Sequence, residues 1–362
     1  TNFTDRRRTA VYAQMNNICQ NQQVDANGNW SYWSDGRFGL FDYRKAGMIM
    51  QWDNGKANKE AGNLRGNANI DVYHNNMYYN TLNNSENFLG GGNTQYTYAK
   101  NITDNRDAGV DARAHITYNI DSINRLSFKA RYGYQNSRSD KEGTSSTFHT
   151  KPEELEDMAG SLVGDDVSLA LREQGVNSQD ANGNSKSNRH SADFSAAYTH
   201  LFKKEGRTLN VDVGGNITDL HGSGNARQFY RYFSPNAPAP NLDNRKANEK
   251  NRTRYELSAG MAYAEPINKY LRFKASYMFS HSKANEDHGL YDVYTVPENQ
   301  RPTPGDSLQY VSDLQNSYYS DSYTNQHRFI PRLQGTWDKV ESSVSPSLNL
   351  FTDYLRYDRN GE

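Results

Sequence analysis

The chain has 362 residues, a formal net charge of -1 and a mean hydropathy of -1.00. Its 41 basic and 42 acidic side chains leave no basic surface of the kind that nucleic acids require, so no nucleic-acid partner is expected. The sequence contains no run of 18 apolar residues, which excludes a transmembrane helix. The single cysteine, Cys19, excludes an internal disulfide framework.

Residues 106–135 alternate apolar and polar side chains across a short turn. Ala112 and Ile116 fall on one parity before the turn, and Leu126 and Phe128 continue the pattern after it. Because successive side chains of a strand point to opposite faces, this segment predicts a hairpin with one apolar and one polar face. Each strand runs for more than ten residues. A strand needs that length when one side touches lipid and the other touches water.

The same unit recurs along the chain, with short turns near residues 57, 122, 204, 267 and 340. A first strand over residues 6–18 precedes five such hairpins, which gives about eleven strands. The spacing is too irregular for a solenoid or a propeller. The sequence therefore predicts an all-β fold, a transmembrane antiparallel up-and-down β-barrel in a bacterial outer membrane.

Long connections separate the hairpins, and their Asn, Ser, Asp, Gly and Tyr content predicts solvated loops. Outer-membrane barrels place short turns in the periplasm and long loops outside, so these loops are expected to be extracellular. One of them, at residues 153–172, carries spaced apolar side chains that fit either a short helix or a loop packed on its neighbours. The long connections are residues 19–45, 79–104, 136–188, 219–251 and 281–322.

Most charged residues of the strands fall on the parity opposite to the apolar residues. This pattern predicts the polar wall of a lumen, which either solvent or a polar plug with paired charges would fill. The positions expected to face the lumen include Asp111, Arg113, Lys129, Arg131, Asp193, Asp212, Arg272 and Lys274.

Motifs for catalysis, metals or cofactors are weak. Residues 25–29 and 180–184 resemble the start of a calcium loop, but Gly36 and Ser191 replace the acidic ligand at position twelve, so turns are expected there. The glycine run at 90–92 lacks the lysine of a phosphate loop, and the sequence has no GxSxG elbow. We expect no catalytic residue, no metal site, no cofactor and no enzymatic activity.

One histidine–carboxylate cluster stands out, where His281 and His288 flank Glu286 and Asp287. These spacings match no zinc motif. A solvated polar loop is the simpler interpretation of this segment.

Aromatic residues near Asn and Asp in the long connections suit the capture of a sugar or a siderophore by stacking and hydrogen bonding. The same clusters could instead pack on one another over the mouth of the barrel. The candidate ligand-binding residues are Trp30, Tyr32, Trp33, Tyr79, Tyr96, Tyr98, Tyr230, Tyr232, Tyr318 and Tyr319.

The two ends of the chain bear on the expected size of the barrel. Single-chain bacterial barrels have even strand numbers, and an open edge between long strands would be a site of aggregation. The chain ends in turn-like residues at 360–362, and no signal peptide precedes Thr1. We therefore expect residues 1–362 to form one partial barrel domain, completed by residues outside this sequence.

Three segments resemble TonB-dependent outer-membrane receptors of the Bacteroidota type. Residues 5–17 resemble the start of their first barrel strand, and residues 125–134 and 200–209 are similar to their repeated outward strands. Such receptors have about 22 strands around a plug. The resemblance implies that this chain is roughly the first half of such a barrel, with the plug and the TonB box outside this sequence. It also implies a small solute ligand, the TonB complex and possibly a surface lipoprotein as partners, besides the lipid bilayer and its lipopolysaccharide.

Three functions remain open on the sequence alone. The first is TonB-dependent uptake of a siderophore, oligosaccharide, peptide or similar solute. The second is a barrel without energised transport, such as a porin, an adhesin or an assembly scaffold. The third is a soluble secreted β-protein that binds glycans, whose apolar strand faces would pack on another sheet.

Overall fold

The structure is a computed structural model of the chain. It describes residues 2–3, 7–16, 20–24, 30–34, 40–57, 60–89, 93–151, 175–233, 241–296, 308–337 and 340–359. Three segments lie outside these residues: 153–172, which fits either a short helix or a packed loop, the surroundings of Cys19, and the glycine run at 90–92.

The described residues form strands joined by turns, and none of them forms a helix long and apolar enough to span a membrane. The strands are β1 (Asn2–Phe3), β2 (Arg7–Asn16), β3 (Gln20–Val24), β4 (Trp30–Ser34), β5 (Leu40–Asp53), β6 (Leu64–Leu89), β7 (Asn93–Asn119), β8 (Asn124–Phe148), β9 (Gly175–Leu201), β10 (Thr208–Tyr232), β11 (Asn241–Pro266), β12 (Leu271–Thr295), β13 (Leu308–Ser312), β14 (Tyr318–Trp337), β15 (Val340–Val344) and β16 (Leu348–Arg359).

Fourteen of these strands form one antiparallel sheet, in which the long strands pair in the order of the chain. β3 and β4 form a separate hairpin. The arrangement confirms the predicted all-β, up-and-down fold. Among the described residues, no ladder joins β1 or β2 to β15 or β16.

The short turns lie where the sequence predicted them, between β5 and β6, β7 and β8, β9 and β10, and β11 and β12. Asx side chains build two of them. The Asp121 carboxylate accepts hydrogen bonds from the backbone N–H groups of Ile123 and Asn124, at 2.8 and 2.7 Å. The Asn268 side chain does the same for Tyr270 and Leu271. A side chain that satisfies the backbone in this way favours a tight turn.

The long connections are strand for much of their length, so their prediction as loops was wrong there. β6 to β12 have 25–27 residues each. Their far halves are polar on both faces and show no alternation, yet the ladders run on through them. A strand of 26 residues spans about 85 Å, against a hydrocarbon thickness of about 30 Å. Such strands extend far beyond any bilayer they cross.

Two interruptions occur near one edge of the sheet. β13 and β14 both pair with β12 on the same side, and β15 and β16 both pair with β14. The register of β14 sets Pro331 level with Pro346, in the gap between β15 and β16. Because proline has no N–H group, neither residue can donate to the ladder there. The sheet therefore has eleven long strand positions, two of them occupied by two strands in line.

The register sorts the side chains of the sheet into two faces, because residues directly opposite in an antiparallel pair share a face. Every residue predicted to be apolar and outward lies on one face, which we call the apolar face. The opposite face is called the polar face. The apolar face carries, from β2 to β16, Val11, Met48, Ile70, Ala112, Phe128, Phe194, Val211, Leu257, Phe273, Leu333 and Leu348.

A glycine allows a contact across three strands of the polar face. Tyr12, Gly47 and Asp71 occupy one row of β2, β5 and β6. The Tyr12 hydroxyl donates a hydrogen bond to Asp71 across Gly47. A Cβ atom at Gly47 would lie 2.7 Å from the Tyr12 ring and collide with the Asp71 carboxylate.

We expect Gly47→Ala to lower the free energy of unfolding by about 1–3 kcal/mol, because the added methyl group displaces Tyr12 from Asp71. Denaturant unfolding in lipid vesicles measures the change. Gly222→Ala is the matched control, since its added methyl group would meet nothing closer than 3.5 Å. Equal costs for the two substitutions would contradict this role of Gly47.

Candidate functional site

The apolar face bears a continuous belt of apolar side chains near the turn ends of the strands. Many of the large ones are exposed, among them Phe128 at 43%, Leu257 at 49% and Met261 at 50%, and others such as Phe273 are half-buried. No described element covers this face. We define the apolar belt as the apolar-face positions within residues 11–15, 48–52, 64–72, 108–118, 126–134, 192–198, 209–217, 255–263, 271–279, 329–335 and 344–350.

No charged residue occupies any position of the apolar belt. Charges return on the same face just beyond its far edge, as ion pairs within single strands. Arg44 binds Asp42 at 2.8 Å, and Arg138 binds Asp140 at 2.9 Å. At the turn end, Glu265 accepts from Lys204 and Arg207, both at 2.6 Å. The face thus changes from uncharged to ion-paired at both borders.

Aromatic residues mark both borders of the apolar belt. Tyr255 and Tyr263 lie on the same face of β11, eight residues apart. This separation is about 27 Å along the strand, or about 21 Å along the membrane normal for a strand tilted by about 40°. Trp52, Tyr118 and Tyr198 lie at the turn-end border on other strands. Paired aromatic girdles flanking an apolar band about 25 Å tall are typical of outer-membrane barrels.

The apolar belt runs obliquely to the strands. The row of paired residues that starts at Val72, the last apolar-belt residue of β6, reaches β14 at Asp321. The last apolar-belt residue of β14 is Phe329, eight residues nearer the turn end. With about 3.3 Å per residue and about 4.8 Å between strands, this shift over seven steps corresponds to a tilt of about 38°. Strands of membrane barrels tilt by about 35–45°.

The eight residues expected to face a lumen all lie on the polar face. On the described strands, Asp111 accepts hydrogen bonds from two arginines, with Arg113 Nε at 2.6 Å and Arg131 Nη2 at 2.7 Å. Arg113 and Arg131 are directly opposite each other. The two like charges are therefore held by one shared carboxylate.

A second acid stands directly opposite Asp111, which the sequence alone did not reveal. Asp71 and Asp111 face each other across β6 and β7. Like charges in this position destabilise a sheet unless they are neutralised. Lys45 lies 3.3 Å from Asp71 and Tyr12 donates to it, while two arginines neutralise Asp111. Partners on four strands thus hold the two acids, and no local sequence pattern signals such a network.

The polar face encloses a depression of about 660 Å³ between β6 and β11. Arg113, Lys129, Arg131, Asp193 and Glu256 line it, and Asn216 and Ser258 add neutral polar groups. Charges of both signs beside amides and hydroxyls can bind a polar solute or a polar protein segment.

The candidate ligand-binding tyrosines lie on strands, so their prediction as loop residues was wrong. Tyr79, Tyr230, Tyr232 and Tyr318 have the parity of the polar face, whereas Tyr96, Tyr98 and Tyr319 have the opposite parity. Trp30, Tyr32 and Trp33 lie on β4.

Only some of these tyrosines are brought together among the described residues. Tyr230 and Tyr232 stack with a centroid distance of 6.4 Å. Tyr98 is 5% exposed and packs against Phe148, so it cannot stack on a ligand without rearrangement. Tyr318 donates to Glu286 at 2.6 Å and stacks on Tyr357, which the sequence analysis did not select. The hydrogen bond to Glu286 and burial raise the pKa of Tyr318 to about 12.

The histidine–carboxylate cluster also lies on a strand instead of the expected loop. His281, Glu286, Asp287 and His288 belong to β12. His281 and His288 point to opposite faces because their parities differ. Among the described residues, no group of three or more His, Cys, Asp or Glu side chains could hold a metal ion.

The chain was compared with protein families, curated proteins and solved structures. No protein-family model matches the chain, and no curated protein matches it. Among solved structures, it is similar to the toluene transporter TodX of P. putida, with 11% identity, 98% of this chain and 88% of that chain covered, and a TM-score of 0.25. A likeness at this TM-score carries no argument about fold or function.

An ion cluster fixes the far ends of β10 and β11, next to Tyr230. Arg227 binds Asp243 through two hydrogen bonds of 2.9 and 3.0 Å, and Arg245 adds another at 2.9 Å. The hydrogen bonds from Arg227 and then Arg245 lower the pKa of Asp243 to about 2.

Because the folded pKa of Asp243 is depressed, its stabilising effect is complete above about pH 4 and is lost as the pH falls toward 2. We expect amide exchange at the far ends of β10 and β11 to accelerate over this interval. Asp243→Asn should abolish that pH dependence, and Asp140→Asn, in another hairpin, should leave it unchanged. An unaltered pH profile in Asp243→Asn would contradict the assignment.

Proposed function

We propose that this chain forms part of the wall of a bacterial outer-membrane β-barrel, with the apolar belt against lipid and the polar face toward a lumen. The observation that carries the proposal is the uncharged, exposed belt, bordered by aromatic residues and oblique to the strands by about 38°. A soluble protein rarely exposes a contiguous apolar patch beyond a few hundred Å². The uncovered belt therefore argues against a soluble glycan-binding protein, whose apolar faces would pack on another sheet.

The polar face supports passage or capture of a solute. Its depression combines charges of both signs with amides and hydroxyls, and its two arginines, Arg113 and Arg131, share the Asp111 carboxylate. Such pairing suits a lumen that excludes bulk water, as around a polar plug, because unpaired charges there would be costly. The strands extend well beyond the belt, which offers a long wall for binding outside the membrane.

The finer proposal is TonB-dependent uptake of a solute such as a siderophore, an oligosaccharide or a peptide. It rests on the resemblance of residues 5–17, 125–134 and 200–209 to that receptor class. Its partners would be the bilayer with its lipopolysaccharide, the TonB complex, a small solute and a surface lipoprotein. The alternative is a barrel without energised transport, which the solvated charges of the polar face would equally suit.

Permeability of vesicles containing the full-length protein separates these two functions. A receptor closed by a plug should leave the vesicles impermeable to glucose, whereas a porin should let them swell in isosmotic glucose. Swelling at the rate of a known porin would contradict energised uptake and support the alternative.

A pair of adjacent substitutions tests which face meets lipid. Leu257→Arg places a charge in the apolar belt and should lower the free energy of unfolding in bilayers by about 2–4 kcal/mol near the midplane. Ser258→Arg, one residue away on the polar face, should cost little because water or polar groups can solvate it there. Equal costs for the two variants would contradict the assignment of the faces.

A further inference from the structure

Histidines follow the far edge of the apolar belt. His190, His281 and His327 each occupy the apolar-face position next to the last belt residue of their strand, namely Ala192, Phe279 and Phe329. His74 holds the same position on β6, next to Val72. Because the edge of the belt is oblique to the strands, these histidines do not share one row of paired residues. They lie at one height along the membrane normal once the strands are tilted. The histidines therefore follow the edge of the apolar belt and not the hydrogen-bonding register.

Three of these histidines share one local arrangement. His190 Nδ1 lies 3.0 Å from the Tyr132 hydroxyl, and His327 Nδ1 lies 2.8 Å from the Tyr277 hydroxyl. At His281 the Nδ1–H group donates to Asn325 Oδ1 on the neighbouring strand at 2.8 Å, so the neutral ring carries no proton on Nε2. In each case the described residues offer no hydrogen-bond partner to Nε2. A hydroxyl that donates to Nδ1 leaves the ring proton on Nε2, which then presents a donor.

Aromatic rings hold these imidazoles in place. Tyr134 lies 4.8 Å from His190, Phe279 lies 5.0 Å from His327, and Tyr255 lies 5.8 Å from His281, between ring centroids. The rings are thus fixed at the border where hydrocarbon gives way to headgroups.

The charged groups around these rings are already engaged. Asp219 lies opposite His190, but it binds His221 at 2.8 Å. Lys283, two residues from His281, lies 3.5 Å from Asp321. The apolar-face neighbours of His327 on β12 and β16 are Phe279 and Leu350, which carry no charge. The carboxylates near His190 and His281, Asp219 and Asp321, therefore already have other partners.

We propose that His190, His281 and His327 form a row that binds the phosphate groups of lipid headgroups at the far edge of the belt, which in an outer membrane belong to lipopolysaccharide. This inference rests on the proposed membrane position of the belt. In the neutral state, Nε2–H of His190 and of His327 donates to a phosphate oxygen. His281 gains an Nε2–H donor when its ring is protonated, and protonation adds a positive charge to each ring. Histidine changes charge between pH 5 and 8, so the preference for anionic lipid should strengthen in mild acid. A lipid headgroup is the occupant because the rings sit level with the border of the hydrocarbon.

Spin-labelled lipids measure this preference directly. The full-length protein is reconstituted in phosphatidylcholine vesicles with a trace of chain-labelled phosphatidylglycerol or phosphatidylcholine. The motionally restricted fraction of each label gives the relative affinity of the two lipids for the protein surface. We expect the preference for phosphatidylglycerol to be about twofold greater near pH 5.5 than near pH 8.

Variants separate the row from other histidines. Joint replacement by His190→Gln, His281→Gln and His327→Gln should abolish the pH-dependent part of the preference. The control, His115→Gln with His288→Gln, changes two histidines of polar-face parity and should retain it. Joint replacement of the row by lysine should raise the preference at both pH values and remove its pH dependence.

Survival of the full pH dependence in the triple glutamine variant would overturn the proposal, as would a wild-type preference that does not change with pH. A protein that restricts no lipid at all would instead contradict the membrane position of the belt. Restricted lipid without a pH-dependent preference would leave the membrane assignment intact and remove only the histidine row.

Discussion

The proposed position in a membrane imposes one constraint on this molecule: every backbone hydrogen bond must be satisfied while hydrocarbon and water touch opposite sides of one sheet. β-ladders meet the first requirement in most of the sheet, because the long strands pair with their neighbours along nearly their whole length. Side-chain parity meets the second requirement, since the side chains of adjacent residues point to opposite faces of the sheet. Val213 and Asp212 are neighbours in the chain, yet the first lies in the uncharged belt and the second on the charged polar face. A shift of the register by one residue would move every side chain of that strand to the opposite face.

The same constraint explains the crowding of charges on the polar face. All ionisable side chains within the belt region must share that face, so like charges meet across strands. Asp71 and Asp111 are directly opposite, as are Arg113 and Arg131. Each conflict is resolved by a nearby opposite charge or hydrogen-bond donor, with Gly47 leaving room for Tyr12 to reach Asp71. Mixed charge on this face is therefore a bonded network of defined geometry.

Sequence reasoning succeeded where the two faces of a strand meet different surroundings. Alternation located the near halves of the strands, and Asx residues such as Asp121 located their turns. It failed for the far halves, where both faces are polar and no alternation exists, as in residues 219–232 of β10. Backbone pairing alone holds those segments as strands. That is why Tyr230 lies on a strand instead of a loop.

The networks between strands were also beyond the sequence. Tyr12 and Asp71 are 59 positions apart, and only the register of β2, β5 and β6 brings them together. The same holds for Tyr318 and Tyr357, whose stacking was not predicted. The candidate tyrosines split between two parities because the sequence analysis assigned no register to the segments that carry them. Only the register between distant strands shows which of these residues lie together.

Nitroxide scanning along residues 209–217 of β10, in the full-length protein within bilayers, tests the two-solvent account most directly. Collision rates with oxygen, which concentrates in hydrocarbon, should peak at the odd positions, such as Val211 and Val213. Collision rates with a water-soluble nickel complex should peak at the even positions, such as Asp212. Equal rates at both parities, or a maximum for the nickel complex at Val211 and Val213, would contradict a belt that faces lipid.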